Sequence, residues 1–111
     1  MRADQRNYPR VQLKLPVSYV VKNSKIYDSQ TGTTQDISVN GLKIKSPTAN
    51  KLTAGDEITG KIIPPNKIPI SFTAQVIWSH DMTCRLRFTQ LSRLERKKID
   101  ELMSGVMSQM L

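Results

Sequence analysis

The chain has 111 residues, room for one domain and one hydrophobic core rather than two. Hydrophobic residues make up 38% and charged residues 23%, which excludes a disordered chain, and no apolar run approaches the roughly 20 residues that span a bilayer. The formal net charge of +8 points to an anionic partner (a nucleotide, a nucleic acid or an acidic surface), although such charge also serves solubility. The single cysteine excludes an internal disulfide and suits a reducing compartment. The N-terminus is charged and lacks an apolar signal core, so the expectation is a cytoplasmic protein.

Residues 1–10 form a basic arm with Arg2, Arg6 and Arg10. Pro9 disfavours helix at Tyr8, so the arm reads as extended or turn-like. Residues 11–21 alternate: Val11, Leu13, Leu15, Val17, Tyr19 and Val21 share one face of a half-buried strand. Pro16 has no N–H to donate and belongs at an edge or a bulge. Residues 23–32 are polar and read as a hairpin loop. Residues 33–45 form a second hairpin, in which Asn40-Gly41 is a strong signal for a two-residue turn with positive φ. That turn places Val39 opposite Leu42 and Ile37 opposite Ile44, with Asp36, Ser38, Lys43 and Lys45 on the outer face.

Residues 46–55 are a connector. Residues 56–63 are a strand with Ile58 and Ile62 inward, and 64–67 a turn. Residues 68–78 alternate best of all, with Ile68, Ile70, Phe72, Ala74, Val76 and Trp78 on one face. After a loop at 79–83, the last strand turns Cys84, Leu86 and Phe88 inward and Arg85 and Arg87 outward. Ser92 and Glu95 have capping-box spacing. The helix that follows, within 91–111, repeats apolar residues at Leu94, Ile99, Leu102, Met103, Val106 and Met110. Arg93, Arg96, Lys97 and Lys98 oppose its dipole, so packing must hold it. Its apolar face closes the barrel or, through Met103, Met107 and Met110, offers a soft partner surface. The fold class is mainly β: a small six-stranded antiparallel β-barrel with a C-terminal α-helix.

Two motifs carry chemistry. Arg6 and Arg10 stand four residues apart on the arm, and guanidinium forks match phosphate oxygens and the O6/N7 edge of guanine. Asp36, Ser38 and Gly41 stand on the second hairpin. Each motif alone is compatible with a solvated surface. In this order and spacing they resemble RxxxR and (D/N)xSxxG of the PilZ domain family. The resemblance covers nearly the whole chain, including the late stretches 74–78 and 85–88. One departure is Cys84-Arg85, where relatives commonly have a glycine.

The resemblance implies the same barrel with a C-terminal helix: arm 1–10, barrel 11–90, helix 91–111. It implies a cyclic di-GMP receptor that signals to a separate effector protein. Arg6 and Arg10 would clamp the phosphates and guanines. Asp36 would accept from guanine N1–H and N2–H₂, Ser38 would bind a phosphate or base, and Gly41 would permit the turn and a close ligand approach. The arm is expected to order over the barrel when the ligand arrives.

Two other readings stay open. One is a PilZ-like adaptor that binds protein and no nucleotide, although intact Arg6, Arg10, Asp36, Ser38 and Gly41 argue against it. The other is a basic barrel for nucleic acid, which an aromatic content of 5% disfavours. His80, Asp81 and Cys84 do not make a recognisable zinc set. With no phosphate loop, nucleophile elbow or paired carboxylates, the reading is no enzyme, no metal and no cofactor.

Overall fold

The computed structural model describes residues 9–22 and 29–109, with residues 107–109 as backbone only. Seven strands precede one helix: β1 (Val11–Gln12), β2 (Pro16–Val21), β3 (Gln30–Ser38), β4 (Gly41–Lys45), β5 (Glu57–Ile62), β6 (Ile70–His80), β7 (Thr83–Gln90) and α1 (Arg93–Gln109). All pairings are antiparallel. The order β3-β2-β5-β6-β7-β4 closes on itself because β4 also pairs with β3. The result is a six-stranded barrel, with β1 extending the wall beyond β2. Closure leaves no long free edge between strands.

Alternation puts Val17, Tyr19, Ile37, Leu42, Ile44, Ile58, Ile62, Phe72, Val76 and Leu86 inside, all buried. Each buried aliphatic side chain of this size contributes about 1.5–3 kcal/mol. Ile99 and Met103 of α1 join that core, and the helix packs on β1, β3 and β6. The Ser92 hydroxyl caps the helix by accepting from the Glu95 N–H at 3.1 Å, while it donates to the Glu95 carboxylate. Met103 is thus a core residue, whereas the Met107 side chain and Met110 lie outside the described residues. Leu94 is exposed, not packed.

The structure corrects several sequence expectations. The strand expected over 11–21 is interrupted at residues 13–15. There the buried Thr34 hydroxyl accepts from Leu15 N–H at 2.8 Å and donates to the Leu13 carbonyl. Pro16 opens β2 at that break, where no ladder donor is needed. The loop expected to reach residue 32 ends earlier, because Gln30 to Gly32 already belong to β3. The strand expected over 68–78 runs from Ile70 to His80, leaving Ile68 72% exposed. A register shift between Val76 and Trp78 makes Ile77 the extra residue of a bulge, so Trp78 turns outward, opposite Arg85. The loop expected over 79–83 shrinks to Asp81 and Met82, whose φ values of 54° and 61° are those of a tight hairpin turn.

Candidate functional site

The outer surface around β3, β4 and β7 is built by a bulge. Thr34 pairs with Ile44, yet Asp36 pairs with Lys43, so Gln35 is an extra residue on β3. Without it Asp36 would share the inward face of Thr34, two residues before it. With it, Ile37 points into the core and Asp36 and Ser38 point out.

The turn corrects a further expectation. Asn40 and Gly41 are not its two residues: Ser38 pairs with Gly41 and Ile37 with Leu42, so the connection is Val39-Asn40. Asn40 and Gly41 are absent from the positive-φ residues among those described. The two registers differ by one residue on each strand, and both leave Ile37, Leu42 and Ile44 inside. Hydrophobic pattern therefore could not separate them. Contacts with β7 do: the Asn40 carbonyl accepts from Phe88 N–H at 2.8 Å, and Gly41 lies against the backbone of Leu86. The Ser38 hydroxyl secures the same turn, accepting from Asn40 N–H at 3.2 Å and donating to the Gly41 carbonyl at 3.4 Å.

Cross-strand register then sets two outward rows. In the first, Gln12, Asp36, Lys43, Arg85 and Trp78 follow one another across β1, β3, β4, β7 and β6. In the second, Ser38, Gly41, Arg87 and Gln75 follow across β3, β4, β7 and β6, and the Arg87 guanidinium donates to Gln75 Oε1 at 2.8 Å. Val11 pairs with Ile37 and Gln12 with Asp36, and exposed Arg10 directly precedes this ladder, toward the Ser38 end of β3. The structure thus gathers Arg10, Asp36, Ser38 and Gly41 on one side of the barrel. Arg6 lies outside the described residues.

Asp36 is not the solvated carboxylate expected on an outer face. Arg85, expected to point freely outward, reaches over β4 and donates Nη1–H to Oδ1 at 2.8 Å and Nη2–H to Oδ2 at 3.0 Å. The two side chains are only 15% and 11% exposed. Lys43 stands beside Asp36 as the outer-face pattern predicts, whereas Arg85 and Trp78 are the neighbours that sequence reasoning missed. The outward alternation of Arg85 and Arg87 was legible, but nothing local says that β7 lies beside β4.

Beside Asp36 an open groove of about 510 Å³ is lined by Gln12, Leu13, Lys14, Gln35, Asp36 and Lys43. Two lysines, Lys14 and Lys43, face one carboxylate here, which suits an anionic ligand bearing hydrogen-bond donors for Asp36. Among the described residues no group of three or more His, Cys, Asp or Glu is placed to hold a metal ion. None of their helices is long and apolar enough to cross a membrane.

Comparison with known proteins identifies the family and the fold. The sequence profile of the PilZ domain matches residues 4–105. The cellulose synthase catalytic subunit [UDP-forming] of Pseudomonas fluorescens (strain SBW25) is 30% identical over 94 residues, covering 85% of this chain and 12% of that protein. Among solved structures, the PilZ domain of YcgR from Escherichia coli with c-di-GMP superposes with a TM-score of 0.76 at 14% identity, over 95% of this chain and 93% of that one. The PilZ domain of CeSA from a cellulose-synthesizing bacterium gives 0.67 at 18%, over 87% and 96%. The Bacillus subtilis inhibitor of motility (MotI/DgrA) gives 0.73 at 14%, over 95% and 51%.

Proposed function

Since this chain belongs to the PilZ domain family, we propose that it is a regulatory receptor module for cyclic di-GMP, not an enzyme. The observation that carries the reading is the alignment of Gln12 with Asp36 across β1 and β3, with Ser38 two residues on and Arg10 just before β1, beside a groove that Lys14 and Lys43 line. Arg10, with Arg6 on the arm, takes the phosphates and guanine edges as a planar donor fork. Asp36 accepts from the two parallel donors of a guanine, N1–H and N2–H₂. The Ser38 hydroxyl, already donating to the Gly41 carbonyl and accepting from Asn40 N–H, keeps one lone pair for a ligand donor, and Gly41 adds no side chain between Ser38 and Arg87. Ligand held by Arg6 and Arg10 draws the arm toward the barrel wall. That movement is the signal, read by an effector protein. The YcgR structure with c-di-GMP supports the ligand class.

Calorimetric titration of cyclic di-GMP into wild type and Arg10→Ala, at fixed physiological salt with GMP as control, tests the reading. Micromolar or tighter binding is expected in wild type. A charge-assisted hydrogen bond contributes about 1.5–3 kcal/mol, so Arg10→Ala loses at least about tenfold. Absence of wild-type binding overturns the receptor function and favours a protein-binding adaptor.

A further inference from the structure

We propose that Arg85 is a gate on this site: its guanidinium occupies the face of Asp36 that the guanine uses, and the two exchange when ligand binds. The inference rests on the cyclic di-GMP reading and adds a regulating residue to it. Three observations carry it. First, Arg85 uses both oxygens of Asp36, at 2.8 and 3.0 Å. This is a bidentate fork of two parallel N–H donors. The Watson–Crick edge of guanine, N1–H beside N2–H₂, is the same fork in a neutral form. Second, the pair is largely shielded, with side chains 11% and 15% exposed, and the guanidinium takes both carboxylate oxygens, so a base cannot pair with Asp36 until it leaves. Third, Arg85 arrives from β7, on the far side of β4, whereas Arg10 arrives from β1. The arm and the gate therefore approach Asp36 from opposite sides, and of the two only the gate covers the carboxylate.

Elementary energetics follow. Ligand binding breaks one charge-assisted pair at Asp36 and replaces it with a base contact of the same geometry. The site therefore binds more weakly than its contacts alone allow, and the threshold concentration is raised. Lys43, directly opposite Asp36 on β4, and Trp78, opposite Arg85 on β6, flank the path of the displaced guanidinium.

The test is calorimetric titration of cyclic di-GMP into wild type, Arg85→Met and Asp36→Ala. Methionine keeps much of the packing of the arginine stem but has no donor fork. Arg85→Met is expected to bind about tenfold more tightly than wild type, and Asp36→Ala to lose binding. Wild-type binding with equal or weaker binding by Arg85→Met overturns the gate and leaves the receptor reading intact. Absence of binding by both overturns the receptor reading and the gate with it. A second measurement needs no variant. The ¹⁵N resonances of the Arg85 guanidinium, resolved while the fork restricts its rotation, should broaden or move at ligand saturation. Resonances that stay in place at saturation would show that the pair persists and would overturn the exchange.

Discussion

Gly41 faces the main chain of Leu86 at a distance that admits no side chain: a Cβ at Gly41 would lie 2.0 Å from the Leu86 carbonyl oxygen and 3.0 Å from its carbon. The obstacle is backbone in the middle of β7, which cannot rotate away. Gly41 is therefore required for the β4–β7 seam that closes the barrel, a different reason from the turn that its sequence context suggests. Gly41→Ala must push β4 away from β7. It is expected to cost about 2–4 kcal/mol and to lower Tm by on the order of 10 °C. Thermal unfolding followed by circular dichroism reads this directly. An unchanged Tm would mean that the seam is not closed as described.

Thr34 repairs the break between β1 and β2. Its hydroxyl pairs with Leu15 N–H and the Leu13 carbonyl, and its own N–H donates to the Leu15 carbonyl at 2.8 Å. Thr34→Val keeps the shape and strands two main-chain groups away from water. It is expected to destabilise by about 2–3 kcal/mol, whereas Thr34→Ser, which keeps the hydroxyl, costs about 1 kcal/mol or less. Urea denaturation of the two variants separates them. Equal losses would trace the effect to the methyl group, not to the hydroxyl.

Cys84 is buried on β7, and burial, with a smaller contribution from the Asp56 carboxylate, pushes its thiol pKa from the ordinary 9.0 up to about 12; the Arg85 guanidinium acts in the opposite direction. At pH 8 the native thiol is therefore protonated and shielded, and should react with iodoacetamide far more slowly than the urea-unfolded chain. Stability follows with a definite sign. Below pH 9 both states hold the proton and the contribution is complete. Between about 9 and about 12 only the unfolded state releases it, so unfolding gains about 1.4 kcal/mol per pH unit. Chemical denaturation at pH 8, 9 and 10 should show wild type losing stability faster than Cys84→Ala. Parallel losses would place the thiol in a wetter setting.

Asp36 and Arg85 stand 49 residues apart in sequence, and their pairing illustrates where local reasoning stops. Both were legible as outward-facing residues on alternating strands. Their meeting depends on β7 lying beside β4 and β4 beside β3, an order set by barrel closure and by no local signal. Trp78 was read inward because strict alternation carried it there, but the bulge at Ile77 reversed its direction. Bulges depend on how a strand must bend against its neighbours, and a single-strand pattern contains no record of them.

Short-range chemistry accounts for the features that the residues alone make legible. A period of two along residues 11–21 and 84–88 decides which side chains enter the core, and Ser92 with Glu95 starts the helix. The motif positions Asp36, Ser38 and Gly41 share one hairpin simply because they are close in the chain. The register of that hairpin comes from packing between strands, since both candidate registers bury Ile37, Leu42 and Ile44 and the contacts with Leu86 and Phe88 select between them. The same packing decides that the Asp36 carboxylate is covered by Arg85, because a guanidinium can cross β4 only after three strands have been laid side by side.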